Sequence, residues 1–290
     1  MRQFILLVCI AIVLSSCRES RIHDKPEWEK HFTAQGIKDG CFMLRDNNHE
    51  AVFFYNKERC MKRYLPASTF KIFNSLVALE TGVAPDESLI IKWDSVPRKM
   101  PEWNKDMNMR EAFKVSCVPY YQEIARRIGY DNMQHYIDTA NYGNRNINGK
   151  IDEFWLNDSL QISADEQLGL MKRLYFNELP FAERTQRIVK SMMLQEETPA
   201  YKLYYKTGWG IRTQSNVMWV VGFIEKIVHV KEPEKSMNKS DIRMYPYFFA
   251  MNFDAPVSDT TANWPAVRVA ILKSVLKDFG AMPNETNPRN

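Results

Sequence analysis

Cysteine is scarce in this sequence, and its pattern excludes a disulfide-stapled fold. Only five of the 290 residues are cysteines, and three of them, Cys41, Cys60 and Cys117, lie beyond the apolar N-terminal segment. That number is odd and far too small for a disulfide scaffold. Cys41 and Cys60 flank a predicted hairpin, so they either pair with each other or remain as buried free thiols.

Histidine clusters and basic runs are also missing. The five histidines are scattered and show no HxxxH or similar spacing, which argues against a metal site. Lysine and arginine together number 39 against 35 acidic residues, and no basic stripe is interleaved with aromatics, so the sequence lacks the signature of a nucleic-acid-binding protein. Small neutral or anionic molecules are the expected ligands. The chain is 45% apolar and 12% aromatic, enough for one large domain or two entwined lobes.

The N-terminal residues 1–17, MRQFILLVCIAIVLSSC, read as a signal peptide. Arg2 precedes an apolar run that ends at Leu14, and this run is too short to span a bilayer. Leu14-Ser15-Ser16-Cys17 resembles a bacterial lipobox, in which Cys17 would become the lipidated first residue, and the alternative is an ordinary cleavage site nearby. We expect an exported, periplasmic protein that the lipid on Cys17 would attach to a membrane.

The rest of the chain divides into a polar tether (18–36), a single folded domain (37–282) and a polar tail (283–290). Strands are predicted near both ends, at 41–45, 51–56, 201–206, 217–224 and 245–253. Helices are predicted mainly between them, at 66–82, 120–128, 131–140, 163–176, 181–193 and 266–279. This order predicts an α+β fold: an antiparallel sheet built from both termini, flanking helices, an inserted helical lobe, and a cleft where lobe and sheet meet.

A serine and a lysine stand in the first turn of the predicted helix 66–82, PASTFKIFNSLVALETG. Residues at i and i+3 share a helix face, so Ser68 and Lys71 can approach as nucleophile and base, near N–H groups that can receive an oxyanion. The helix is apolar all round, and burial would lower the pKa of Lys71 by up to about 3 to 5 units. The alternative is a charged Lys71 that reaches solvent. The S-x-x-K pattern also occurs at Ser236–Lys239 and Ser274–Lys277, which we interpret as solvated surface residues.

Three further motifs follow in a fixed order: Ser116-Cys117-Val118, Tyr142-Gly143-Asn144 and Lys206-Thr207-Gly208. Together with S-x-x-K they resemble the serine β-lactamases and penicillin-binding proteins. The S-x-V and Y-G-N variants, with Phe154-Trp155-Leu156, are similar to class D, the oxacillinase-type β-lactamases. The resemblance covers about residues 40–279 and implies the α+β fold of the β-lactamase and penicillin-binding-protein transpeptidase domains.

The resemblance implies the catalytic roles. Ser68 would attack the β-lactam carbonyl and form an acyl-enzyme. Lys71 would be the general base, N-carboxylated by carbon dioxide as a carbamate, with no other cofactor and no metal. Trp155 would donate its indole N–H to that carbamate. Ser116 would bridge Lys71 and Lys206 and pass a proton to the leaving nitrogen, and its alternative role is a helix N-cap.

The resemblance also implies the substrate contacts. Lys206 would supply positive potential, Thr207 would bond the substrate carboxylate, and Gly208 would let the ligand approach the backbone. Arg268 matches the arginine that pairs with the drug carboxylate, although an arginine near a helix start is more often a surface residue.

Around the scissile bond, the N–H groups of Ser68 and Trp209 would form the oxyanion hole, and the Trp209 ring is placed to stack on the substrate. Val118 would keep the lysine niche dry and Leu156 would help cover it. The alternative for both is core packing. The turn 142–144 is expected to be structural.

The implied activity is β-lactam hydrolysis that gives antibiotic resistance. The alternative is a β-lactam sensor that stays acylated, but such a sensor needs a membrane-spanning module and no further long apolar segment follows the signal. A cell-wall transpeptidase would normally show S-x-N in place of 116–118. The charged stretch 226–244 is an apparent insertion, predicted as an elongated hairpin loop. Substrate preference and oligomeric state stay open.

Overall fold

A seven-stranded sheet, assembled from both ends of the chain, organises the protein. The computed structural model describes residues 21–212, 215–230, 241–256 and 263–283. In sheet order the strands are β1 (Ile22–Asp24), β3 (Ala51–Tyr55), β2 (Gly40–Asp46), β9 (Asp241–Pro256), β8 (Ser215–Val230), β7 (Tyr201–Gly210) and β6 (Leu194–Glu197). A separate pair consists of β4 (Ile90–Ile91) and β5 (Met107–Asn108).

The predicted α+β fold is confirmed, with one detail that the pattern did not reveal. All neighbours in the large sheet pair antiparallel except β1, which runs parallel to β3 at its edge. The predicted signal peptide with Cys17, the Ser236–Lys239 pair and residues 284–290 of the predicted tail lie outside the described residues.

Each of the six predicted helical segments corresponds to a helix to within a few residues, whereas three short helices, at 29–33, 57–61 and 109–114, were not predicted. The helices are α1 (Glu29–Thr33), α2 (Lys57–Met61), α3 (Lys71–Glu80), α4 (Met109–Lys114), α5 (Val118–Ile128), α6 (Tyr130–Thr139), α7 (Ala164–Tyr175), α8 (Glu183–Met193) and α9 (Trp264–Phe279). The capping box predicted at Ser163 and Glu166 fixes the start of α7, because each side chain bonds the other's backbone N–H. Within the described ranges, no helix is long and apolar enough to cross a membrane.

Residues 21–36 are not a tether. The strand β1 pairs with β3, and the short helical turn and α1 that follow bury Trp28 and Phe32. The Trp28 ring meets Phe42 of β2 edge-on, with 5.4 Å between centroids. The segment looks polar in sequence because Trp28 and Phe32 are its only two buried aromatic side chains, and its backbone pairing in β1 leaves no apolar pattern.

The predicted hairpin loop 226–244 is shorter than expected. The strands β8 and β9 continue into it, and their pairing runs from Lys226 opposite Tyr245 to Val230 opposite Asp241. The alternation of apolar and polar residues in KIVHV suits a strand, so charge alone was a poor guide here.

Helices cover both faces of the sheet and form two apolar clusters. One cluster joins the helical lobe to the sheet, and the other packs α1 and α9 against the opposite face. The helix α3 lies inside the first cluster and is buried continuously from Lys71 to Leu79. The fold therefore takes the start of this helix, with its lysine, into the interior.

Candidate active site

Ser68 lies in a tight 3₁₀ turn, Ala67–Phe70, that leads directly into α3. Residues i and i+3 eclipse one another in such a turn, which aligns Ser68 with Lys71. Ala67 adopts a positive φ of 48°, a conformation that is strained for an alanine. Its N–H donates to the carbonyl of Trp155 at 3.1 Å, so the strained turn is tied to the segment that carries the tryptophan.

Lys71 is only 1% exposed, and its Nζ lies 2.9 Å from the Oγ of Ser68 in a hydrogen bond. Burial lowers the pKa of Lys71 from 10.5 to about 7, whereas the nearby Cys117 acts in the opposite direction. The alternative in which Lys71 reaches solvent is therefore wrong. A neutral amine is accessible beside the serine at neutral pH.

A buried indole N–H without a partner among the described residues lies on the segment that is tied to the serine turn. Trp155 is fully buried and stacks on Phe70 at 5.4 Å, yet its Nε1 has no hydrogen-bond partner within the described chain. A buried orphan donor costs about 1–3 kcal/mol, so its presence points to an acceptor that belongs there. The ring of Tyr121 lies close to Lys71, with its centroid 5.4 Å from the Lys71 amine. These groups fit a carbamate on Lys71.

Ser116 contacts the second lysine of the site. The Nζ of Lys206 hydrogen-bonds the Ser116 hydroxyl, and Ser116 adopts a positive φ of 54°. No hydrogen bond joins Ser116 to Lys71 in the described part of the chain, so the predicted bridge is present on its Lys206 side only. The N-cap alternative is wrong, because Cys117 occupies the cap position of α5. Burial, followed by the charges of Lys71 and Arg268, holds the pKa of Lys206 well below its usual value.

Gly208 brings β7 close to the serine turn. A Cβ at this position would lie 3.0 Å from the carbonyl oxygen of Pro66 and 3.1 Å from the Cγ2 of Thr69. The missing side chain thus permits strand and turn to pack together. The sequence predicts only that Gly208 would let the ligand approach the backbone. The carbonyl of Gly208 also accepts a hydrogen bond from Arg268 Nη1 at 2.9 Å.

Arg268 is half-buried rather than a surface residue. Burial lowers its pKa from 12.5 to about 10, and its Nε is buried without a partner among the described residues. Since its helix α9 packs across the sheet, the side chain reaches the end of β7 from a segment 60 residues away. A guanidinium at this place suits a planar carboxylate.

These groups meet in one cavity of about 590 Å³. Seven of the predicted residues line it: Ser68, Ser116, Val118, Leu156, Thr207, Trp209 and Arg268. Four other predicted residues do not line the cavity themselves: Lys71, Trp155, Lys206 and Gly208. Trp209 is 44% exposed at the rim.

Other lining residues were missed by the sequence reasoning. Met100, Trp103 and Ile211 also border the cavity, and Ile211 is 77% exposed. They belong to irregular segments without a periodic pattern. Among them, only Ile211 could have been predicted to line the cavity, because it lies three residues after Gly208.

The turn at 142–144 and the S-x-x-K match at Ser274 lie in defined surroundings. Gly143 (φ 52°) and Asn144 form a structural turn, in which Asn144 bonds the backbone of Ser159 and Gln161, as expected. Ser274 is not simply solvated, because its hydroxyl lies 2.6 Å from the Nδ1 of His31.

Comparisons with known proteins agree with this geometry. The family model for the penicillin-binding protein transpeptidase domain matches residues 31–241. β-Lactamase OXA-19 of Pseudomonas aeruginosa is 40% identical over 88% of this chain and 90% of its own length. β-Lactamase OXA-48 of Klebsiella pneumoniae is 40% identical over 90% of both chains. The crystal structure of a class D β-lactamase from Sebaldella termitidis superposes with a TM-score of 0.80 at 32% identity, covering 91% of this chain and all (100%) of that one. The chain belongs to the class D, OXA-type, β-lactamase family.

Proposed function

We propose that this protein hydrolyses β-lactam antibiotics through an acyl-enzyme on Ser68 and so confers resistance on its host. The observation that carries the proposal is the buried amine of Lys71, 2.9 Å from the Ser68 hydroxyl at the base of a cavity that also holds Arg268. The relatives are named as β-lactamases, which supports the same reaction here.

Acylation begins at Ser68. The Ser68 oxygen attacks the lactam carbonyl while its proton passes to the base carried by Lys71, whose Nζ lies 2.9 Å from that oxygen. The backbone N–H groups of Ser68 and Trp209 receive the negative charge that develops on the carbonyl oxygen. The strained turn holds this arrangement before the substrate arrives.

Departure of the ring nitrogen requires a proton. Ser116 donates it, and Lys206, which hydrogen-bonds the Ser116 hydroxyl, replaces it.

The substrate is held by its carboxylate and covered by apolar side chains. Thr207 and Arg268, which both line the cavity, bind the carboxylate, while Lys206 adds positive potential. Val118 and Leu156 line the cavity as an apolar cover, which keeps water away from the lysine.

We further propose that Lys71 is carboxylated. Bound as a carbamate, carbon dioxide would supply the base that serves both the serine and the deacylating water. Trp155 would hold it, since its buried Nε1 finds no acceptor in the described part of the chain. Only the neutral amine reacts with carbon dioxide, so the lowered pKa of Lys71 favours this modification.

Deacylation separates this proposal from the alternative of a sensor. Purified protein is mixed with a chromogenic cephalosporin, and product is followed beyond one equivalent while mass spectrometry monitors Ser68. We expect sustained turnover, and no turnover or adduct in Ser68→Ala. A single burst that leaves a stable adduct on Ser68 would instead identify a sensor.

We also propose export through residues 1–17, with lipid attached to Cys17. The proposal rests on the apolar run and the lipobox-like Leu14–Cys17. Labelled fatty acid should enter the wild-type protein in cells and fail to enter Cys17→Ala. Equal labelling of both proteins, or of neither, would contradict lipidation.

A further inference from the structure

A second cavity, of about 360 Å³, lies next to the active-site cavity. Cys117 lines this second cavity, whereas its neighbours Ser116 and Val118 line the active site. Trp103 borders both. The three-residue segment 116–118 therefore separates two spaces, and the proposed reaction uses only one of them.

The walls of the second cavity are aromatic. Trp93, Trp103 and Tyr120 line it, and each donates its polar hydrogen to a backbone carbonyl, at 3.1, 3.0 and 2.8 Å respectively. Because these polar atoms are already satisfied, the rings can offer a ligand apolar contact and stacking.

The charge of the lining is positive. Five cations and two carboxylates line the cavity: Lys92, Arg98, Lys105, Arg126, Arg127, Asp94 and Glu123. Both carboxylates are already neutralised, since Arg98 holds Asp94 at 2.6 Å and the pair Arg126 and Arg127 holds Glu123 at 3.0 and 2.8 Å.

Two cations of this lining remain without a counterion. Lys92 and Lys105 form no ion pair with any described residue. An aromatic concavity with two uncompensated ammonium groups complements a ligand that has a flat apolar body and a negative charge.

From these observations we infer that the second cavity binds a small aromatic carboxylate. Its ring lies against the indoles of Trp93 and Trp103, and its carboxylate pairs with Lys92 and Lys105. A volume of about 360 Å³ suits one fused-ring ligand. The inference does not depend on the proposed hydrolysis, because none of these side chains takes part in it.

Calorimetric titration of the full-length protein with 2-naphthoate tests the inference. We expect saturable binding that weakens at least about 10-fold in Lys92→Ala/Lys105→Ala, since each paired charge contributes to binding. The matched control Lys38→Ala/Lys99→Ala removes the same charge from exposed positions outside the cavity and should bind as the wild type does. Arg268→Ala, which alters the active-site cavity, should also leave the affinity unchanged.

Two further measurements keep the inference open to contradiction. Trp93→Leu should weaken 2-naphthoate binding, and the neutral 2-naphthamide should bind the wild type at least about 10-fold more weakly than the acid. Circular dichroism checks that each variant is folded. Absence of binding to the wild type, or binding that Arg268→Ala removes while Lys92→Ala/Lys105→Ala does not, would overturn the assignment.

Discussion

The amine of Lys71 and the hydroxyl of Ser68 lie 2.9 Å apart, although Lys71 is almost completely shielded from water. The short distance follows from the 3₁₀ turn, and the shielding follows from the passage of α3 through the core of the helical lobe. The same packing that stabilises the fold therefore sets the protonation state of the lysine. Stability and reactivity are coupled at this pair.

The coupling predicts that Lys71→Met stabilises the protein at neutral pH. Burial lowers the pKa of Lys71 from 10.5 in the unfolded chain to about 7 in the folded one, so the unfolded state binds the extra proton between these values. The cost of burying the protonated amine in the folded protein is full at and below pH 7 and vanishes above pH 10.5. We expect a gain of up to about 4 kcal/mol in the free energy of unfolding at pH 7.

Urea unfolding in bicarbonate-free buffer at pH 7 and pH 10 measures this gain. It should shrink as the pH rises, and activity should be lost at both values. A gain that stays constant with pH would show that the lysine carries no such penalty.

Trp155→Phe should make the enzyme depend on added bicarbonate. The change keeps an aromatic ring but removes the buried N–H, which has no partner among the described residues. We expect kcat to fall about 100-fold in degassed buffer and to recover in part with bicarbonate. Trp219→Phe is the matched control, because the Trp219 indole already donates to the Leu65 carbonyl at 3.0 Å. If both variants respond to bicarbonate alike, Trp155 has no special role.

Arg268→Ala should weaken recognition of the substrate carboxylate. Loss of a charge-assisted hydrogen bond costs about 1.5–3 kcal/mol, or about 10- to 100-fold in kcat/KM, mainly through KM. Steady-state kinetics with a penicillin and its methyl ester measure the effect. The ester lacks the negative charge, so its kcat/KM should fall much less in Arg268→Ala than the kcat/KM of the penicillin. Equal losses for acid and ester would mean that Arg268 only supports the backbone of Gly208.

Gly208→Ala should displace β7 from the serine turn. The new Cβ would lie 3.0 Å from Pro66 O and 3.1 Å from the Thr69 side chain, so strand or turn must shift by a few tenths of an ångström. We expect about 1–3 kcal/mol of destabilisation and at least a tenfold loss of kcat/KM. Gly169→Ala, in open space on α7, is the control and should be neutral or slightly stabilising. Thermal unfolding and kinetics on both variants test this, and an unchanged Gly208→Ala would contradict the packing argument.

The local part of the site could be predicted from sequence. Ser68 and Lys71 are three residues apart, so helical geometry alone places them together, and the apolar helix around them predicts burial. Ser116, Lys206 and Arg268 are far apart in the chain, and only the motif order of a known family related them to Ser68. Helix and strand periodicity was sufficient for the main elements of the α+β fold.

Long-range packing accounts for what the sequence did not predict. The close fit of Gly208 against Pro66 depends on how β7 lies across the turn, and no local pattern encodes that distance. Trp28 and Phe32 are two aromatics in a polar segment, too few to create a periodic signal. The second cavity combines residues of α5, of the β4–β5 pair and of the irregular segments between 92 and 117, so its net charge cannot be derived from any one sequence segment.

The central claim is that Lys71 is a neutral amine in a dry niche and captures carbon dioxide. Carbon-13 NMR of the protein in ¹³C-bicarbonate tests it most directly. We predict a carbamate resonance at pH 8 that disappears as the amine is protonated below pH 7 and is absent from Lys71→Met. A wild-type spectrum without that resonance across this range, from protein that still turns over a β-lactam, would contradict the account.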